Sequence, residues 1–335
     1  MLNERRRRVL QALVEEYIAS ATPVGSKTLV DRYELGCSPA TVRNELSILE
    51  ETGYVVQPHV SAGRMPTDTG YRSFVDELIE RGSGALGGEG VGGANLPRTA
   101  EFDELMRETS TALTRLTSCL AVVLAPSISL ARVRRIDLLS LSPKRALFVL
   151  ITESGQVVNR TIELGRDATP ERVSDVERAL NAAFDGKRAA DIRPLRSALA
   201  AADDADDLVP RVVDEILDAL AETDRDRLYH VGIPALLAQP EFHDAEQARP
   251  LIEFLEDGIV VLEALSDALV TRDVTVRIGH ENRRAELGNV SIVATNYGVG
   301  SADGVVGVIG PTRMDYSRAM AAVRLIADGL SEALS

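Results

Sequence analysis

Residues 38–74, SPATVRNELSILEETGYVVQPHVSAGRMPTDTGYRSF, decide how the N-terminal part of this chain is read. Ser38 can cap a helix through its hydroxyl, and Pro39 suits the first helical position, where a missing N–H has no partner to lose. Val42, Leu46 and Leu49 recur at i, i+4 and i+7 as a buried stripe, which turns Ala40, Thr41, Arg43, Asn44 and Ser47 outward. These outward residues can meet base edges, with Arg43 suited to guanine O6 and N7 and Asn44 to adenine N6 and N7. Gly53 stops the helix, and Tyr54-Val55-Val56 has the β-branched and aromatic content of a short strand. The pattern predicts a DNA-recognition helix running into a β-wing with its tip at Ser61-Ala62-Gly63-Arg64.

Upstream, Val9, Leu10, Leu13, Tyr17 and Ile18 fall on one helical face, and Ala21-Thr22-Pro23 ends that helix. A short second helix begins near Gly25 or Ser26, with Leu29, Val30 and Tyr33 apolar. Glu34-Leu35-Gly36-Cys37 is the brief, glycine-bearing connection expected inside a helix-turn-helix. Arg5, Arg6, Arg7 and Arg8 oppose the dipole of the first helix at its N-terminus, a cost of roughly a few tenths of a kcal/mol each that an anionic partner would offset. Together with Ser26, Lys27, Ser38, Ser61, Gly63 and Arg64 they form the candidate phosphate-binding set. Arg43 and Arg64 are both expected to be exposed and unpaired in the free protein. Residues 1–81 hold ten basic and twelve acidic residues, so this part carries only −2 of the chain's net −14. Glu15, Glu16, Glu50, Glu51, Asp76, Glu77 and Glu80 lie at the distal ends of their helices, off the reading surface. Architecture alone leaves a protein-interaction module open, because winged helices serve in that role and four arginines can be a solvated helix start.

A length of 335 residues suggests two or three domains, and 45% hydrophobic with 26% charged residues is ordinary for a soluble, core-forming chain. Cys37 and Cys119 are far apart with no CxxC or CxxH spacing, which speaks against zinc and a disulfide framework. No apolar run approaches the roughly eighteen residues that span a bilayer, and the N-terminal arginines precede no apolar segment, so a cytoplasmic protein without membrane contact is expected. Three lysines stand against 34 arginines, as a GC-rich genome would produce.

Residues 82–98, GSGALGGEGVGGANLPR, contain seven glycines. A flexible chain of that length has a root-mean-square reach of about 23 Å, so the N-terminal heads are expected to reorient. The GxGxxG pattern at residues 88–93 has no preceding strand and reads as linker, and the glycines of residues 298–304 read as a turn between strands.

Beyond the linker, Phe102, Leu105, Met106, Thr109, Leu113 and Leu116 make an amphipathic helix, followed by a strand over residues 119–125. The same small α/β core resumes late, with strands at 274–278, 290–297 and 305–309, a long helical stretch at 247–269 and a terminal helix over 316–334. Between these parts, strands at 133–141, 146–152 and 156–164 alternate in polarity and are separated by turn signals, predicting an antiparallel sheet. Helices follow at 170–184, 193–202 and 207–222. Leu208, Val212, Ile216 and Leu220 share one face of the last and are the candidate dimerisation residues. Residues 163–227 hold 10 basic and 17 acidic residues and should face away from DNA. A three-stranded sheet with one apolar face exposed favours pairing with a copy of itself; helices covering both faces within one chain are the alternative.

The string SPATVRNELSILEETGYVVQPHVSAGRMPTDTGYR resembles the N-terminal signature of the HrcA family of heat-inducible transcription repressors. NVSIVATNYGVGSADGVVGVIGPTRMDYSRAMAAVRLIADGLSEAL is similar to that family's closing segment, so the resemblance spans essentially the whole chain. It implies a homodimeric repressor binding a double-stranded inverted-repeat operator, the CIRCE element, upstream of chaperonin and Hsp70-type genes, with the chaperonin as modulating partner. It implies an α+β chain of three parts: a winged helix-turn-helix at 1–81, a GAF-like domain split into 99–131 and 229–335, and an inserted dimerising domain at 132–228.

Catalysis is not expected, because His59, His230, His243 and His280 are scattered and no HExxH, GxSxG or GxxxxGK[ST] occurs. Neither a cofactor nor a metal is expected. The GAF-like part leaves one alternative, a ligand-gated regulator of unrelated genes, which polar groups converging in an apolar pocket would support.

Overall fold

A computed structural model describes residues 2–85, 102–128, 131–153, 155–184, 186–188, 191, 208–225, 227–256, 261, 264–265, 273–298 and 304–334. Helix α1 (Glu4–Ser20) starts where the Asn3 side chain accepts from the Arg6 N–H and ends at Ala21 in the left-handed region, φ 53°. Helix α2 (Ser26–Arg32) precedes α3 (Pro39–Glu51), which opens on Pro39 with the Ser38 hydroxyl accepting from the Thr41 N–H at 3.2 Å. An antiparallel hairpin with a long connecting loop follows, β1 (Val55–Val56) against β2 (Met65–Pro66). Helix α4 (Asp68–Ala85) then runs four residues past the expected start of the linker. The rest of that stretch lies outside the described residues.

The larger body begins with α5 (Phe102–Thr117) and β3 (Leu120–Leu124), all five of whose strand residues are buried. The chain then leaves for a second sheet, β4 (Val133–Ser142), β5 (Arg145–Thr152) and β6 (Val157–Glu163), antiparallel in that order, and for helices α6 (Pro170–Phe184) and α7 (Leu208–Arg225). It returns through β7 (Leu228–Val231), the short α8 (Ile233–Leu237), α9 (Ala245–Glu256), β8 (Thr275–Ile278), β9 (Val290–Tyr297), β10 (Gly304–Pro311) and α10 (Tyr316–Ala333). The helix expected at 193–202 lies outside the described residues, as does most of 257–269.

Five strands make one antiparallel sheet in the order β7-β3-β10-β9-β8. Both of its faces are covered. Ala121, Val123, Val293, Val306 and Val308 pack with α5, α10 and the N-terminal helices, while Leu120, Val122, Leu124, Ile292, Val305 and Ile309 pack with α8 and α9. Gly307 is needed where β10 crosses β9, since a Cβ there would stand 2.7 Å from the Val293 carbonyl oxygen.

In the second sheet, Ile136, Leu138, Phe148, Leu150, Val158 and Ile162 form the inner face, and α6 and α7 cover it. Leu208, Val212, Ile216 and Leu220 of α7 are all buried in this core. That corrects the expectation that they face a partner: their apolar stripe is spent inside the chain. The outer face instead carries Leu139, Leu141 and Val157, which are 51%, 53% and 54% exposed. The edge strand β4 is not left open, because Asn181 of α6 bridges the Ile136 N–H and carbonyl at 2.9 and 2.6 Å and Glu177 accepts from the Leu138 N–H at 3.0 Å.

The N-terminal helices are seated on the body along a continuous apolar core. At this seam Tyr71 of α4 and Tyr316 of α10 lie 5.9 Å apart between ring centroids, and burial pushes both phenols above the usual tyrosine range. Asp68 accepts from the His280 N–H at 2.9 Å, and Arg72 donates to both Glu281 oxygens and, at 2.7 Å, to the Val276 carbonyl. Beside the seam, within the body, Arg313 donates to both oxygens of Glu241 and, at 3.1 Å, to Gln239, and it reaches the Ile18 carbonyl of α1 at 3.5 Å. The glycine-rich stretch predicts heads that reorient; in this structure the head is docked, held by apolar area as well as charge.

Arg313→Ala should therefore lower stability by about 2 kcal/mol, because it strands the half-buried Glu241 carboxylate. A shift of the urea midpoint without a change in slope checks this.

Candidate nucleic-acid interface

Helix α3 is fixed from behind by Val42, Leu46 and Leu49, each at most 2% exposed. Its opposite face carries Ala40, Arg43 and Asn44 in solvent, with Thr41 and Ser47 half-buried beside them. Two of the hydroxyls are engaged within the helix: Thr41 Oγ1 lies 3.0 Å from Ser38 Oγ, and Ser47 donates to the Arg43 carbonyl at 3.1 Å. The side chains of Arg43 and Asn44 have no hydrogen-bond partner among the described residues, so the two long polar groups are available to a ligand.

The candidate phosphate set divides. Arg5 and Lys27 are exposed, and Arg8 is exposed with one guanidinium nitrogen on the Glu34 carbonyl at 2.7 Å. Arg7 stands 3.6 Å from Glu4 on the same helix. Arg6 is different: its Nε donates to Glu45 of α3 at 3.0 Å, with both side chains largely buried. Arg64 is also different, and corrects the expectation of an exposed, unpaired side chain. Its guanidinium meets Glu50 of α3 at 2.9 Å and the side chain is 19% exposed. Both arginines therefore neutralise acids of α3. Ser26 is half-buried and Ser61 exposed, while Ser38 is occupied as the cap. Gly63 has a packing reason, since a Cβ there would meet the Val24 carbonyl carbon at 2.4 Å. That contact places the hairpin against the turn before α2, where Val24 and Arg64 exchange backbone hydrogen bonds of 2.8 and 2.9 Å.

Sequence reasoning missed Gln57. Its side-chain amide donates to the carbonyls of Val60 and Ala62 at 3.0 and 2.9 Å, closing the hairpin tip. An amide at the foot of a Pro- and Gly-bearing turn is the signal that could have found it.

A family model described as the HrcA protein C terminal domain matches residues 103–320. The heat-inducible transcription repressor HrcA of Nocardioides sp. is 42% identical over 337 residues, covering 100% of this chain and 99% of the relative. That of Streptomyces avermitilis is 41% identical over 339 residues with the same coverage. The chain belongs to the HrcA family. It is a transcriptional repressor of the heat-shock response. Among solved structures, the crystal structure of a hypothetical protein at 2.2 Å resolution is similar, with a TM-score of 0.67, 26% identity and coverage of 100% of this chain and 99% of that one.

Away from this surface, an open cleft of about 530 Å³ lies between α8 and α9, lined by Leu237, Phe242, Ala248 and Ile252 with His243, Arg249 and Glu253 at its polar rim. Arg249 donates to Glu253 at 2.7 Å and the His243 ring pairs with the Ala238 carbonyl, so these groups meet protein partners rather than converging on the cleft. Among the described residues no group of three or more His, Cys, Asp or Glu side chains could hold a metal, and no helix is long and apolar enough to cross a membrane.

Arg64→Ala and Glu50→Ala should be coupled by about 0.5–1 kcal/mol in a double-mutant cycle of stability, whereas Arg5→Ala should leave stability within about 0.5 kcal/mol of the wild type. Independent effects of the two substitutions would mean that the pair does not form in solution.

Proposed function

We propose that the N-terminal unit is a winged helix-turn-helix that reads an inverted-repeat operator of the CIRCE type as part of a homodimer, and so holds chaperone genes silent at normal temperature. The observation that carries this reading is α3 itself. One face is buried, and the other offers Arg43 and Asn44 with no competing partner. In the major groove, Arg43 would take guanine and Asn44 adenine, with Ala40 and Thr41 against methyl groups or base edges. Arg5, Arg8 and Lys27 would hold phosphate and set the register. Residues 1–81, a GAF-like body of 99–131 with 229–335, and an inserted block at 132–228 are the corresponding domains.

For the dimer, the outer face of the β4–β5–β6 sheet is the surface of choice. Leu139, Leu141 and Val157, with the half-buried Leu147, Val149 and Ile151 between them, make a contiguous apolar patch in the register of the strands. A self-complementary sheet face is a standard two-fold solution. The chaperonin would act by changing the fraction of competently folded repressor, which scales the apparent operator affinity without altering the contacts.

A genome-wide footprint of the purified protein tests the reading: protected inverted repeats beside chaperone genes support it, and protection elsewhere overturns it. On such an operator Arg43→Ala should cost about 1–3 kcal/mol and relax preference at one base position per half-site. Arg5→Ala should weaken operator and scrambled duplex by similar factors and lower the salt slope by about one unit per lost contact. Equal losses on both duplexes for Arg43→Ala would remove it from the reading set. For the dimer, Leu139→Asp should give a folded monomer by sedimentation at micromolar concentration, whereas Val212→Asp should unfold the inserted block, because Val212 is fully buried.

A further inference from the structure

Val60 sits at the tip of the β1–β2 hairpin and is 99% exposed, the most exposed of the large apolar side chains described. A single apolar residue in water needs no explanation by itself. What calls for one is the rigidity of the turn that presents it. Gln57 spends both amide protons on the carbonyls of Val60 and Ala62, at 3.0 and 2.9 Å, and the Ala62 N–H donates to the His59 carbonyl at 2.8 Å. At its base the hairpin is tied to the turn before α2 by the paired Val24 and Arg64 backbones, in a contact so close that only glycine fits at position 63. The turn is thus built as a stiff finger with an apolar end, small neighbours in Ser61 and Ala62, and no packing role for Val60 in the free protein.

The cations that flank it sharpen the choice of partner. Arg64, the one arginine of the hairpin, is committed to Glu50, so the wing does not act chiefly through charge. The tip is a loop carried on only two paired residues per strand, and proteins that bind the minor groove, about 6 Å wide, frequently insert apolar side chains into it. We propose that Val60 is the wing's contact with DNA, inserted in the minor groove beside the major groove that α3 occupies, and that Gln57 is a positioning residue acting through Val60. The inference rests on the DNA-binding reading above and assigns a contact to the wing that does not depend on Arg64.

Isotherms on the footprinted operator, taken across a salt series with the full-length protein, test it. Val60→Ser should lower affinity about tenfold, as expected for an apolar side chain kept from burial, with the salt slope unchanged because no counterion is released at that contact. Gln57→Ala should weaken binding in the same direction, and the Gln57→Ala/Val60→Ser double variant should bind no more weakly than Val60→Ser alone. Hydroxyl-radical footprints should show protected minor-groove sugars flanking each half-site in the wild type and lose that protection in Val60→Ser. Melting curves of Val60→Ser should match the wild type, which separates binding from folding. Wild-type affinity retained by Val60→Ser, a changed salt slope, or additive losses in the double variant would each overturn the proposal. Absence of operator binding by the wild type itself would instead overturn the DNA-binding reading on which it stands.

Discussion

The architecture depends on β3 being held between β7 and β10. Leu124 pairs with Leu228 and Val305, so the strand that ends before the inserted block and the strand that begins after it lie side by side. Residues 125–227 therefore leave and re-enter the body at one point, as an enlarged hairpin loop. Closing a loop of that length costs about 4 kcal/mol in chain entropy. Burial of Leu120, Val122, Val123 and Leu124, at roughly 1.5–3 kcal/mol each, exceeds that cost. The consequence is that the second sheet can have its own core and its own free face without disturbing the first.

The same sheet also fixes the head. Its face towards α10 is covered by α5 and α10, and the apolar core continues through Tyr316 and Tyr71 into α4 and α1. Charge then refines the fit: Arg72 on Glu281 is a partly buried pair across the seam whose geometry sets an orientation more than it adds stability, and Arg313, paired with Glu241 inside the body, reaches the Ile18 carbonyl of α1 at 3.5 Å. Hydrogen bonding to Glu281 holds the Arg72 guanidinium above its ordinary pKa, so the arginine keeps its charge at the seam. The seam, with apolar packing at its centre and directed hydrogen bonds at its rim, holds the head in one orientation on the body.

Local signals were legible where a single pattern decided the outcome. The cap and proline at residues 38 and 39, the strand Val290–Tyr297 and the helix Pro170–Phe184 were all read at their observed bounds. Strand β7 was missed because Leu228–Val231 has only four residues and is only half-buried, so neither length nor alternation marks it. The α7 stripe was read correctly as an apolar face but given the wrong neighbour. Periodicity reports which side of a helix seeks burial and is silent about what covers it; here the sheet of the same chain does. The outer sheet residues gave a weaker signal, since Leu139, Leu141 and Val157 share their face of the sheet with Arg135, Asp137, Asn159 and Thr161.

The interface shows the same limit in charge. Counted along the sequence, the head is slightly acidic, which argues weakly against a polyanionic partner. Counted in space, Glu45 is covered by Arg6, Glu50 by Arg64 and Glu16 by Arg32, in pairs of 3.0, 2.9 and 2.6 Å. Two of these acids lie on α3 itself and would otherwise leave unpaired negative charge on the helix that carries Arg43 and Asn44. Arg5, Arg8, Lys27 and Arg43 are among the cations presented to solvent around α3. At about 8 Å of screening length, a distant phosphate feels mainly these nearest exposed charges and little of the acidic helices on the inserted block. Two arginines that the sequence offers as phosphate ligands, Arg6 and Arg64, thus serve to neutralise carboxylates of α3, a pairing that net charge cannot register.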